Sequence, residues 1–201
     1  MNKPKNQTAQ LTKLALLVAI TLVMAYTPLG YLRTPVLSLS FLTIPVAVGG
    51  ILMGPATGGA LGLVFGLTSF SQAFTDGGMK AVLLSLNPVA CFITTVVSRI
   101  LCGWLSALAF QFCSKFDKHK IWSYFVGSFL CPLLNTVFFM GFIMIFYYNT
   151  DYIQGFCQTL GVGNPLSLVL AMVGLQGVIE LGVCGVLGGI ISKGVSRAVK
   201  R

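Results

Sequence analysis

Charge is what this chain has least of. Only 8% of its 201 residues are charged, and just four of them are acidic. A soluble domain carries about 25% charged residues, so this chain cannot cover a globule with a polar surface. Histidine occurs once, as His119 in the basic stretch KFDKHK. That excludes a serine–histidine catalytic pair inside an apolar span, and there is no HExxH signature of a metalloprotease. The stretch GPATGGA has the glycines of a phosphate-binding loop but not its lysine, so ATP hydrolysis by the GxxxxGK[ST] route is excluded as well. The six cysteines include no CxxC pair. Cys91, Cys102 and Cys113 recur every eleven residues, close to one helix face, and buried thiols of this kind are ordinary apolar filling. No enzyme activity, metal or cofactor is expected.

What the chain has instead is apolar length. Hydrophobic residues make up 56% of it, and the mean hydropathy is +0.90. It reads as a membrane protein, and that changes the meaning of its glycines. In GGILMGPATGGALGLVFG (49–66), glycine falls at every fourth position: Gly50, Gly54, Gly58, Gly62 and Gly66. In water such a helix is poor, since glycine costs about 1 kcal/mol per residue against alanine. In lipid, helices associate by close packing, and small residues at this spacing let two backbones approach. The ladder is a packing surface, broken by a tight turn at Gly54-Pro55.

Charges divide the rest into spans, each needing about 20 residues to cross the hydrocarbon core. Leu14 to Leu32 is the first, after a polar, basic tail at residues 1–13. It does not resemble a cleaved signal peptide, because no small-residue cleavage site follows. The uncharged stretch from Thr34 to Thr75 holds two short helices, Leu39–Met53 and Thr57–Ala73. A fourth span lies between Lys80 and Lys115, a fifth between Ile121 and Thr150, and a sixth at about Leu166 to Ser192. The segment YIQGFCQTLGVGNP before it is too polar and glycine-rich to span. The expectation is an all-α integral membrane protein, one domain over 1–201, formed by a bundle of six transmembrane helices.

Lysine and arginine in short loops orient such a bundle. Six spans put both termini on one side with Lys3, Lys5, Lys13, Lys115, Lys118, Lys120, Lys193, Arg197, Lys200 and Arg201; the other side holds only Arg33 and Lys80. Both termini, including the basic tail 193–201, are expected in the cytoplasm. The net charge of +9 is thus a topology signal. It is not a nucleic-acid footprint, since the charges are spread along loops and not interleaved with aromatics.

Two ionisable residues lie inside spans, where charges are costly and face a cavity or a partner. Arg99 lies about 18 Å down its helix from Asn87, and Glu180 about 21 Å down from Leu166, at 1.5 Å per residue. They share a level and have opposite signs. One reading is a buried salt bridge between the fourth and sixth spans. The other is that Arg99 offers its planar fork to a ligand carboxylate, with Glu180 positioning it. Asn135, near the middle of the fifth span, and Gln176, one turn from Glu180, add amides near this depth, and Asn87 and Gln72 add two more near the outer ends of their helices. A few polar groups in an apolar surround is the usual composition of a small-molecule site, although interhelical bonding accounts for single amides equally well. Arg33 and the loop YLRTPVLSLS are either an outer lid or a plain connector.

Ala15 and Ala19, in Ala15-Leu-Leu-Val-Ala19, form another close-packing pair. Taken with six short spans, the broken pair FLTIPVAVGGILMGPATGGALGLVFGLTSF and no ATPase motif, the chain resembles the S components of energy-coupling factor (ECF) transporters over nearly its whole length. SRILCGWLSAL around Arg99 and LLNTVFFMG around Asn135 look most like the pantothenate-type members. The resemblance implies a vitamin-binding subunit of the bacterial plasma membrane. It implies a transmembrane coupling subunit and two ATPase subunits as partners, met by Ala15 and Ala19, and a subunit that tips over in the membrane to release its ligand inside. Alternatives are another vitamin such as folate, or a stand-alone secondary transporter with Glu180 as its proton site.

Overall fold

The computed structural model describes residues 4–33, 38–75, 77–117 and 121–199. It is helical apart from one small hairpin. Helix α1 (Pro4–Tyr26) leads into strands β1 (Tyr31–Arg33) and β2 (Ser38–Ser40), followed by α2 (Thr43–Met53) and α3 (Pro55–Thr75). Then come α4 (Gly78–Leu86) and a long helix from Pro88 to Phe116, made of α5 (Pro88–Phe92), one π turn (Ile93–Val97) and α6 (Ser98–Phe116). The chain closes with α7 (Trp122–Tyr147), α8 (Asp151–Leu160) and α9 (Pro165–Val199).

Among the described residues, four helices are long and apolar enough to cross a membrane: Thr8–Tyr26, Pro88–Phe116, Trp122–Tyr147 and Gly177–Ala198. A fifth span arises if Asp151–Leu160 and Pro165–Gly174, bent by 73°, are taken together. The pair α2 and α3 stands outside this set. At 11 residues, α2 is about 16 Å long, too short to cross alone. The 21 residues of α3 are long enough, but its glycines and hydroxyl residues hold its hydropathy down.

Several expected boundaries move. The first helix starts at Pro4 and ends at Tyr26, where Leu14 to Leu32 was expected. Proline is favoured in a first helical turn, and nothing between it and Pro28 breaks the helix. The basic tail is therefore helical from residue 4. Residues 31–33 and 38–40 pair as antiparallel strands, Tyr31 opposite Ser40, a small addition to an otherwise all-helical bundle; residues 34–37 lie outside the described residues. The segment from Asp151, expected to be too polar and glycine-rich to span, opens with the 10-residue helix α8. It buries Ile153 and Cys157 and ends at Gly161 with φ +65°. Its apolar residues recur one turn apart, which outweighs its polar average. The last helix runs on to Val199, beyond Ser192, because no breaker follows.

The break at Gly54-Pro55 is as expected. Gly54 has φ +103°, a conformation that glycine adopts freely, and Pro55 opens α3. The ladder then meets the backbone of the helix opposite. A Cβ on Gly58 would strike the carbonyl oxygen of Gly103; one on Gly62 would strike that of Arg99; one on Gly66 would lie 2.7 Å from Val96 Cα. Glycine is spent here so that α3 can lie directly on the helix that carries Arg99.

Two apolar clusters fill the interior. One gathers Leu83, Cys91, Phe139, Met140, Ile143, Tyr147, Ile153 and Leu168 from α4 to α9. The other gathers Leu42, Val46, Leu61, Phe65, Cys102 and Cys131. Polar residues separate them.

Candidate functional site

Arg99 sits at that seam, only 5% exposed. The π turn just before it widens the helix and turns carbonyls aside from the ordinary ladder, a device common at functional sites. Thr94 O, within this turn, accepts from Arg99 Nη1 at 3.0 Å and from Ser98 Oγ at 2.5 Å. Arg99 Nη1 also donates to Ser98 Oγ at 2.9 Å. The guanidinium carbon lies 5.2 Å from the Phe65 ring and 4.5 Å from the Phe139 ring, one ring from each apolar cluster. The side chain is thus held by its Nη1 nitrogen and by two aromatic faces, while its Nε has no partner.

Asn135 is one turn from Phe139 on α7 and one turn from Cys131, so the three share a face. Phe139 touches Arg99. Cys131 lies 3.6 Å from Thr43 O and is an electrostatic neighbour of Glu180. Asn135 lies between these two residues, Phe139 and Cys131, along that α7 face. It is buried, and its Oδ1 has no partner.

Glu180 is 6% exposed on α9. Its Oε2 accepts from Ser40 N at 3.4 Å, and one turn on, Cys184 Sγ reaches Ser40 O at 3.7 Å. Glu180 Oε1 has no partner. Arg99 has Tyr31 and Glu180 among its electrostatic neighbours, yet among the described residues no ion pair joins Arg99 to Glu180. The carboxylate holds the hairpin edge, and the guanidinium holds its own π turn. The salt bridge offered by their common depth is not formed.

The other amides have different positions. Gln72 Nε2 donates to Ala25 O at 2.6 Å and its Oε1 accepts from Lys80 Nζ at 3.4 Å, tying α3 to α1 and α4. It shares the α3 face of Phe65 and Ser69. Asn87 is exposed. Its Oδ1 caps α5 by accepting from Ala90 N at 3.1 Å, and its carbonyl accepts from Tyr147 Oη at 2.9 Å. It is a helix cap and is not brought to Arg99. Gln176 lies one turn before Glu180 on α9, and its side chain is outside the described residues, as is that of Arg33. Ala15 and Ala19 are exposed on the outer face of α1.

The structure adds residues that the sequence did not single out. Lys80 lies 4.9 Å from the centre of the Tyr31 ring, and Tyr31 pairs with Ser40. Buried hydroxyls of Ser40, Ser69 and Thr94 have no partner. Hydroxyl residues are too frequent in membrane helices to be informative by themselves. Lys80 was legible only as an outer-loop charge.

The apolar helices make this a multi-pass membrane protein, and several of its buried polar atoms, Arg99 Nε, Asn135 Oδ1 and Glu180 Oε1 among them, have no partner. Residues 9–192 match the sequence model of the family described as ECF transporter, substrate-specific component, and the chain belongs to that family. Its members are transport subunits, not enzymes; they bind a small-molecule substrate and associate with the ECF module in the membrane. The comparison with curated proteins found no match.

Proposed function

We propose that this chain is the pantothenate-binding subunit of an ECF transporter in a bacterial plasma membrane. It takes the vitamin from outside and releases it inside when coupled to an ATP-hydrolysing module. The observation that carries this reading is Arg99: a buried guanidinium with an unmatched Nε and no carboxylate partner among the described residues. Pantothenate carries one carboxylate and no cationic group, so one fixed cation matches its charge. Asn135 and Glu180 complete the site, with Gln72 and Gln176 at its margin. Asn87 is the outermost of the amides, and its Oδ1 already caps α5.

In this reading the bundle crosses the membrane six times, the second crossing made by α2 together with the segment before it and the third by α3, with both termini in the cytoplasm. The exposed pair Ala15 and Ala19 meets the transmembrane coupling subunit, which carries two ATPase subunits. The test is direct. The purified protein is released from detergent and the small molecule it retains is identified by mass spectrometry, while binding of labelled pantothenate is measured. Retained pantothenate and saturable binding are expected; another retained vitamin, such as folate, with no pantothenate binding would overturn the substrate.

A further inference from the structure

Three buried side chains, Arg99, Asn135 and Glu180, each carry one atom without a partner, and those atoms are not of one kind. Arg99 Nε is a donor. Asn135 Oδ1 and Glu180 Oε1 are acceptors. All three side chains are more than nine-tenths buried. An unmatched polar atom is costly in an apolar surround, so a ligand that fills the site has to satisfy them together. A carboxylate has only acceptor oxygens and serves Arg99 alone. The other two need hydrogens from the ligand. Glu180 is also oriented for this: Ser40 N–H occupies Oε2 and leaves Oε1 as the open oxygen.

We infer that Glu180 and Asn135 form a hydroxyl-reading end of the site, set apart from the carboxylate end at Arg99. The ligand class is then a carboxylic acid with hydroxyl or amide N–H donors displaced along its chain, and a plain carboxylate of equal length is discriminated against. This rests on the proposed site at Arg99, but it assigns a separate task to separate atoms. Specificity of this type is strong because a ligand without the hydroxyl leaves a buried acceptor unpaired.

The test uses three probes on the full-length protein by isothermal titration. Pantothenate has the carboxylate, the amide and two hydroxyls. N-(3,3-dimethylbutanoyl)-β-alanine keeps the carboxylate, the amide and the two methyl groups and lacks the hydroxyls. Pantothenol keeps the hydroxyls and replaces the carboxylate with an alcohol. Wild type is expected to prefer pantothenate over N-(3,3-dimethylbutanoyl)-β-alanine by roughly 10- to 100-fold, the range for a hydrogen bond to a charged group.

In Glu180→Leu neither an acceptor nor a donor remains for a ligand hydroxyl. That variant is expected to lose most of the preference for pantothenate over the analogue without hydroxyls. An equal affinity of wild type for pantothenate and that analogue overturns the inference without any variant, as does an unchanged preference in folded Glu180→Leu. Pantothenol binding as tightly as pantothenate would instead sink the carboxylate anchor at Arg99. A wild type that binds none of the three overturns both readings.

Discussion

Arg99 shows how a single charge is made tolerable inside an apolar bundle. Its own helix supplies Thr94 O and Ser98 Oγ, and two phenylalanine rings cover it. Because those partners are local, the residue does not depend on Glu180 for its place. Arg99→Ala is expected to abolish high-affinity binding while the protein stays folded. Arg99→Lys keeps the charge but loses the planar fork, at about 1.5–3 kcal/mol per charge-assisted bond lost. Thermal stability measured on Arg99→Ala, Glu180→Ala and the double variant checks the structural side. Removing Glu180 is expected to give no rescue; a rescue would mean that the two charges form a buried pair after all. Asn87 belongs at the same scale with the opposite outcome. Asn87→Ala removes an N-cap, and a loss of about 0.5–2 kcal/mol is expected with ligand affinity unchanged; a large affinity loss would return Asn87 to the site.

At the scale of elements, the seam between α3 and the helix Pro88–Phe116 decides where Arg99 lies. The glycine ladder lets two backbones touch, and one rung, Gly62, rests on the carbonyl of Arg99 itself. Gly62→Ala is therefore expected to push α6 away, with a stability loss of about 1–3 kcal/mol, the usual range for overpacking, and weaker ligand binding. Gly59 is the control on the same helix. A Cβ there would meet only Trp104 Cβ at 3.8 Å, so Gly59→Ala is expected to leave stability level or raise it, since alanine is the better helix former. Equal effects of the two changes in a thermal melt would show that the ladder does not set this seam.

For the whole molecule, the outer face of α1 sets the expectation. Leu14, Leu17, Val18, Met24 and Ala25 pack inward, which leaves Ala15 and Ala19 exposed at one-turn spacing. On the proposed docking face their value is flatness. Ala15→Trp or Ala19→Trp is expected to cost assembly and transport but not ligand binding. Pull-down of ATPase subunits at wild-type yield by both variants would move the docking face elsewhere. The orientation has its own check. On a background without native cysteines, His119→Cys in intact cells is expected to resist an impermeant thiol reagent, because the basic-loop excess places that loop in the cytoplasm. Labelling without cell rupture would invert the bundle.

The sequence by itself determined the membrane class, the break at Gly54-Pro55 and the glycine seam, and it singled out Arg99, Asn135 and Glu180 as polar groups inside apolar spans. Each is written in local chemistry: absent charge, a helix-breaking pair, a four-residue period, or a polar group where apolar ones are expected. Only the tertiary structure decided what those groups face. Depth along a helix placed Arg99 and Glu180 at one level, but depth says nothing of azimuth. The π turn at Ile93–Val97 rotates Arg99 relative to the regular helix on which that depth was counted. It gives the guanidinium a partner on its own helix, and the hairpin edge at Ser40 takes one oxygen of Glu180. Likewise, Asn87 looks like a lining amide in the sequence and is a cap in the fold, because side-chain bonding depends on which backbone N–H groups a helix start leaves open.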